Sequence, residues 1–141
     1  MRSVFLHITE PKQKDAEAFL SSQFPGQSHP WIYPSPPADN VLFIDIEEFD
    51  ENERPTVVET LGKKPDFTIV ADVSGRHPGD VEILHFVNIC LSKFSGFAQD
   101  DYTEHLWTLQ EIRDRQIYQE HRFFDYLGWY EYEKVHRGMK V

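Results

Sequence analysis

The sequence predicts a single α+β domain spanning residues 1–141, its sheet mixed or antiparallel and packed against helices. Three observations lead there. The length of 141 residues is that of one domain, and a chain of this size buries enough surface to hold a core without disulfides or metals. Apolar residues make up 40 % and aromatics 14 %, well clear of the composition of disordered chains. Stretches of period-two alternation are interleaved with stretches of helical period, yet short strands also follow one another, which an all-parallel α/β chain would not show.

Val4–Ile8 reads as a first strand. Lys12–Phe24 sets Ala16, Phe19 and Leu20 on one helical face and stops at Pro25-Gly26. Residues 25–40 hold Pro25, Pro30, Pro34, Pro36 and Pro37, so a loop with extended stretches is expected. Pro34-Ser35-Pro36-Pro37 has the PxxP spacing of some groove ligands, although a rigid connector is the simpler account. Val41–Ile46, apolar except for Asp45, reads as a buried strand. Arg54-Pro55-Thr56 opens a short helix with Val57, Val58 and Leu61 on its apolar side and Gly62 at its end. Phe67, Ile69, Ala71 and Val73 alternate with Thr68, Val70 and Asp72 in another strand.

After the loop 74–79, Asp80 is placed to cap the best helix, whose stripe of Ile83, Leu84, Val87, Leu91 and Phe94 is stopped by Gly96. Gly96–Gln99 and Leu106–Trp107 suit short strands on either side of the turn at Asp100-Asp101. Thr108-Leu109-Gln110-Glu111 fits a capping box, opening a helix from Leu109 to about Glu120. Phe123, Phe124, Tyr126, Trp129, Tyr130 and Tyr132 crowd the next ten residues. In a small domain such a cluster is mostly core, but Trp129 and Tyr130 are also of the kind that anchors interfaces. Trp129–Val135 suits helix and strand alike. The order of elements agrees with a ferredoxin-like βαβ sandwich.

The net charge of −10 is unevenly placed. Residues 39–59 carry eight acids, among them Asp45, Glu47, Glu48, Asp50, Glu51 and Glu53, against Arg54 alone. Residues 99–110 add Asp100, Asp101 and Glu104 with no lysine or arginine, and these two segments hold the whole excess. If they fold onto one face, the field repels phosphates and favours encounter with a positive partner. Nucleic acid and anionic membranes are therefore not expected as partners. A solvated loop kept for solubility would show the same composition.

Signatures of chemistry are few. The chain has no G-x-S-x-G elbow, Walker loop, H-E-x-x-H or paired C-x-x-C, and none of its seven histidines has a helical i, i+4 partner. The run from Asp45 to Glu53 lacks the glycine and ligand spacing of a calcium loop, so neither metal nor cofactor is expected. Cys90 is the sole cysteine and lies in an apolar run, where it packs as a small hydrophobe. Gly75-Arg76-His77-Pro78-Gly79 before a helix could cradle an anion or simply turn the chain, and Glu82 and His85 are spaced to meet on one helix face. Asp100, Asp101 and His105 are the one cluster on which a small metal-binding or hydrolytic enzyme could be centred. The N-terminal apolar run is too short for a signal peptide, and no stretch nears the roughly 18 apolar residues of a membrane span, so a soluble cytoplasmic protein is expected.

Gly96-Phe97-Ala98-Gln99-Asp100-Asp101, then His105-Leu106-Trp107-Thr108-Leu109-Gln110-Glu111-Ile112, together with the loop Ala71–Arg76 and the helix after it, resembles immunity proteins of bacterial polymorphic toxin systems. The resemblance covers residues 67–112. It implies a non-enzymatic inhibitor that binds and neutralises a cognate toxin, in many such systems a basic nuclease. The charge map nominates Asp45, Glu47, Glu48, Asp50, Glu51, Glu53, Asp100, Asp101 and Glu104 as the contact surface, with Trp129 and Tyr130 as anchors.

Overall fold

The computed structural model describes residues 2–10, 12–27, 29–34, 40–119 and 121–125. In chain order its elements are β1 (Arg2–Glu10), α1 (Gln13–Gln23), β2 (Trp31–Tyr33), β3 (Leu42–Glu47), α2 (Pro55–Leu61), β4 (Phe67–Val73), α3 (Asp80–Lys93), β5 (Ser95–Asp100) and α4 (Leu109–Arg113). The five strands form one sheet in the order β2-β3-β4-β1-β5, and every neighbouring pair is antiparallel. The expectation of α+β holds, and of its two options the sheet takes the antiparallel one.

The connectivity explains why an antiparallel sheet can carry helical crossovers. β1 and β3 run the same way with β4 between them, and β4 and β5 run the same way with β1 between them. Two split βαβ units thus interlock in the ferredoxin-like manner, and β2 extends the sheet beyond β3.

Alternation along β1 divides the molecule into two layers. Val4, Leu6 and Ile8 are fully buried on one face, joined by Ile44 and Ile69 of the neighbouring strands and by Ala98. Ala16 and Leu20 of α1 and Ile83, Phe86, Val87 and Cys90 of α3 cover that face and complete the main core. Burying a side chain of this size contributes about 1.5–3 kcal/mol, which seats both helices here. Cys90 lies in this core, where burial pushes its thiol pKa up. The opposite face carries Phe5, His7, Thr68, Phe97 and Gln99. It has a smaller cover in which Phe49, Val57 and Leu106 are buried against Val58, Leu61 and Phe97.

Several expectations need correction. The proline-rich stretch contains a strand, because Trp31 is buried opposite Ile44. The PxxP run lies largely outside the described residues. Gly79, not Asp80, is the N-cap of α3. It has φ 76°, and a Cβ there would meet Val73 Cγ1 at 2.4 Å, so only glycine fits. In the helical stripe Leu84 is exposed, while Phe86 and Cys90 point inward. Gly96 does not end α3 but lies in β5, packed so tightly on β1 that a Cβ would come 2.5 Å from the His7 carbonyl oxygen. Leu106–Trp107 is no strand of its own: Trp107 forms a single two-way bridge with Ala98. The Thr108 capping box is present with both hydrogen bonds, yet α4 stops at Arg113 because Arg115 turns the chain with φ 56°.

Both margins of the sheet are closed locally. At β2, Ile32 donates its N–H to Gln27 Oε1 at 2.8 Å and accepts from Gln27 Nε2 at 3.0 Å. At β5, Ala98 exchanges both backbone hydrogen bonds with Trp107, at 2.8 and 2.7 Å. No helix among the described residues is long and apolar enough to cross a membrane.

Candidate functional site

The two acidic segments meet on the second face of the sheet. Phe49, in the middle of the first segment, is buried edge-on against the His7 ring at 5.5 Å, and this pins the loop between β3 and α2 to that face. The turn after β5 carries the second segment to the same side. Between them opens a cleft of about 360 Å³, bordered by Phe5, Glu53, Arg54, Gln99, Asp101 and Glu104.

The predicted contact residues fall into three groups. Glu53, Asp101 and Glu104 line the cleft and are exposed. Glu47, Glu48, Asp50 and Glu51 are exposed along the end of β3 and the loop after it, and Asp45, half-buried, pairs with His29. Among the described residues, none of Glu47, Glu48, Asp50, Glu51, Glu53, Asp101 and Glu104 has a lysine or arginine partner within 4.0 Å. Their charge is thus not cancelled by direct pairing.

Asp100 is the correction. Only 3 % exposed, it faces the interior opposite Val4 and cannot present a charge to a partner. Its carboxylate accepts from the backbone N–H groups of Tyr102 at 3.1 Å, Thr103 at 3.2 Å and Phe124 at 2.8 Å, tying the turn and the segment 121–125 to the sheet. Burial pushes its pKa up, against the pull of those donors. The same segment buries Phe123 and Phe124 in the core, whereas Trp129 and Tyr130 lie outside the described residues.

Asp100, Asp101 and His105 do not converge. Asp101 accepts from the Ser3 N–H at 2.6 Å, while His105 stacks on Tyr118 at 4.4 Å and reaches Glu111 at 3.3 Å. Among the described residues no group of three histidine, cysteine or acidic side chains is placed to hold a metal. The glycine-flanked loop before α3 is bound from within, its His77 and Pro78 carbonyls held by the Arg2 guanidinium. His85 stacks on Tyr33 rather than bonding to Glu82.

Sequence reasoning missed a polar row beneath the cleft. His7 Nδ1 lies 3.0 Å from Thr68 Oγ1 and Nε2 lies 3.1 Å from Gln99 Oε1. Gln99 Oε1 also accepts from Arg54 Nη1 at 2.9 Å, and Gln99 Nε2 donates to the Glu104 carbonyl at 3.2 Å. Since Gln99 Oε1 is the acceptor, His7 carries its hydrogen on Nε2, and Nδ1 accepts from the Thr68 hydroxyl. Burial, opposed by the Gln99 bond and reinforced by the Arg54 charge, lowers the His7 pKa to about 4, so the ring is neutral at pH 7. The row ends in Arg54, whose guanidinium lies over the Phe5 ring with its central carbon 3.9 Å from the centroid. Nearby, Ser3 bonds to two acids, Asp72 on β4 through its hydroxyl and Asp101, just past the end of β5, through its N–H. Partial burial keeps the Asp101 pKa above the ordinary carboxylate value.

A larger groove of about 610 Å³ runs between α3 and α4, past the exposed Leu84. Its Arg113 is tied to Asn88 and Ser92, and its Arg122 to the Arg115 carbonyl. These bonds serve the fold. Comparison with protein-family models, curated proteins and solved structures finds no match.

Proposed function

We propose that this chain is a binding protein of the immunity type, acting in the cytoplasm without catalysis to neutralise a basic bacterial toxin. The observation that carries the reading is the junction of two sequence-distant acidic segments, through Glu53, Asp101 and Glu104, around one cleft. Glu47, Glu48, Asp50 and Glu51 extend the negative charge outward from it without a lysine or arginine partner among the described residues. Such a surface accelerates encounter with a cation-rich protein, up to about 10⁸–10⁹ M⁻¹s⁻¹ at low salt, and repels nucleic acid. The resemblance of residues 67–112 to immunity proteins points the same way.

The test is stopped-flow association with the toxin-like product of an adjacent reading frame. The rate should fall steeply as salt rises, and Glu47→Lys, Glu48→Lys, Asp50→Lys and Glu51→Lys together should slow it roughly 10- to 100-fold with circular dichroism unchanged. Association indifferent to both salt and charge reversal would overturn the reading.

A further inference from the structure

The cleft is more than a patch of negative charge, because its centre is a held arginine. Arg54 is fixed on two sides, by Gln99 Oε1 at Nη1 and by the Phe5 ring beneath it. Gln99 is itself held by buried His7, which is held by Thr68, so a chain of contacts across three strands orients the guanidinium. Among the described residues, Arg54 Nε and Nη2 meet no acceptor, although three acids border the same space. A pre-oriented fork with unused donors is built to receive an oxygen acceptor. Glu53, Asp101 and Glu104 make a phosphate or an isolated carboxylate a poor occupant. What fits both halves is a group offering an oxygen acceptor and, a few bonds away, a positive charge. At about 360 Å³ the space is near the small end of ligand sites, suited to one residue rather than a long segment.

We infer that the cleft receives a single arginine or lysine of a protein partner. Its backbone carbonyl accepts from the free edge of Arg54, and its side-chain cation lies among Glu53, Asp101 and Glu104. The inference rests on the proposed binding of a basic protein and gives it a register: Arg54 reads the main chain, and the acids read the side chain.

The probe is N-acetyl-L-arginine amide, which has a carbonyl and a guanidinium but no free carboxylate or α-ammonium. It is titrated into the full ¹⁵N-labelled chain and followed through the Arg54 Nε–H and Gln99 side-chain amide resonances. Saturable shifts of both are expected. Arg54→Lys, which keeps the charge and loses the fork, should weaken binding at least about tenfold, and so should Glu104→Gln at an exposed position with no side-chain role in the fold. Backbone spectra check that each variant is folded. N-acetyl-L-glutamine amide, with the carbonyls but no cation, should not bind. Shifts confined to residues 45–51 would overturn the cleft inference and leave the acidic-face reading standing. Unchanged affinity in Arg54→Lys would also overturn it. An absence of saturable shifts anywhere would count against both.

Discussion

Acidification should destabilise this domain through His7, and the size follows from its surroundings. The ring is fully buried between Thr68 and Gln99, and its pKa is lowered from 6.5 to about 4, mainly by burial. In the unfolded chain His7 takes up a proton near its ordinary pKa, whereas in the folded chain it does so only near pH 4. Its contribution is thus complete above about pH 6.5 and is lost as the pH falls towards 4. At about 1.4 kcal/mol per pH unit, that window amounts to roughly 3 kcal/mol. Asp100 and Asp101, whose pKa values are raised, act in the opposite sense, favouring the folded state in acid. The measurement must isolate His7. Urea unfolding of wild type and His7→Gln, followed by tryptophan fluorescence at about pH 7.5 and about pH 4, does so because the carboxylates cancel in the difference. The wild-type advantage should shrink by roughly 3 kcal/mol between the two pH values. A difference that does not change with pH would refute the argument, even if the variant were less stable throughout.

Two further outcomes follow from the fold. Gly79→Ala forces a side chain into a left-handed backbone and against Val73, and should cost at least about 2 kcal/mol in thermal or urea unfolding. A change under about 0.5 kcal/mol would mean that the loop before α3 is not built as described. Asp100→Ala removes the acceptor for three backbone donors and leaves the buried Phe124 N–H unmet, a loss of about 3 kcal/mol. Asp100→Asn, which keeps an acceptor, should recover part of it, and equal losses would refute the proposed role.

Much of the framework was legible because local signals coincide with local causes. β4 runs over the alternating stretch Phe67–Val73, Pro55 and Gly62 bound α2, and Thr108 with Glu111 forms the capping box. Errors arose where a distant partner decides. Trp31 becomes part of a strand only because Ile44 lies across from it, and Asp100 turns inward because Phe124, 24 residues later, presents an N–H. The acidic segments were visible as composition, but their meeting around one cleft depends on pairing between β1 and β5. The row from Thr68 through His7 and Gln99 to Arg54 joins residues up to 92 positions apart, and spacing along a chain cannot reveal such a group. One hint was present: His7 sits between Leu6 and Ile8, which places it as the one buried ionisable residue of β1, in a strand covered on both sides.

The stitched borders of the sheet carry a consequence for how the molecule lives among copies of itself. A second sheet arriving at β2 would first have to evict the Gln27 amide, and one arriving at β5 would have to displace the Trp107 backbone. Either eviction forfeits two hydrogen bonds, about 1 kcal/mol each, before a new strand gains any. Side-by-side polymerisation is thereby discouraged by hydrogen bonds already made at both edge strands, a different device from the charges that often guard a sheet rim.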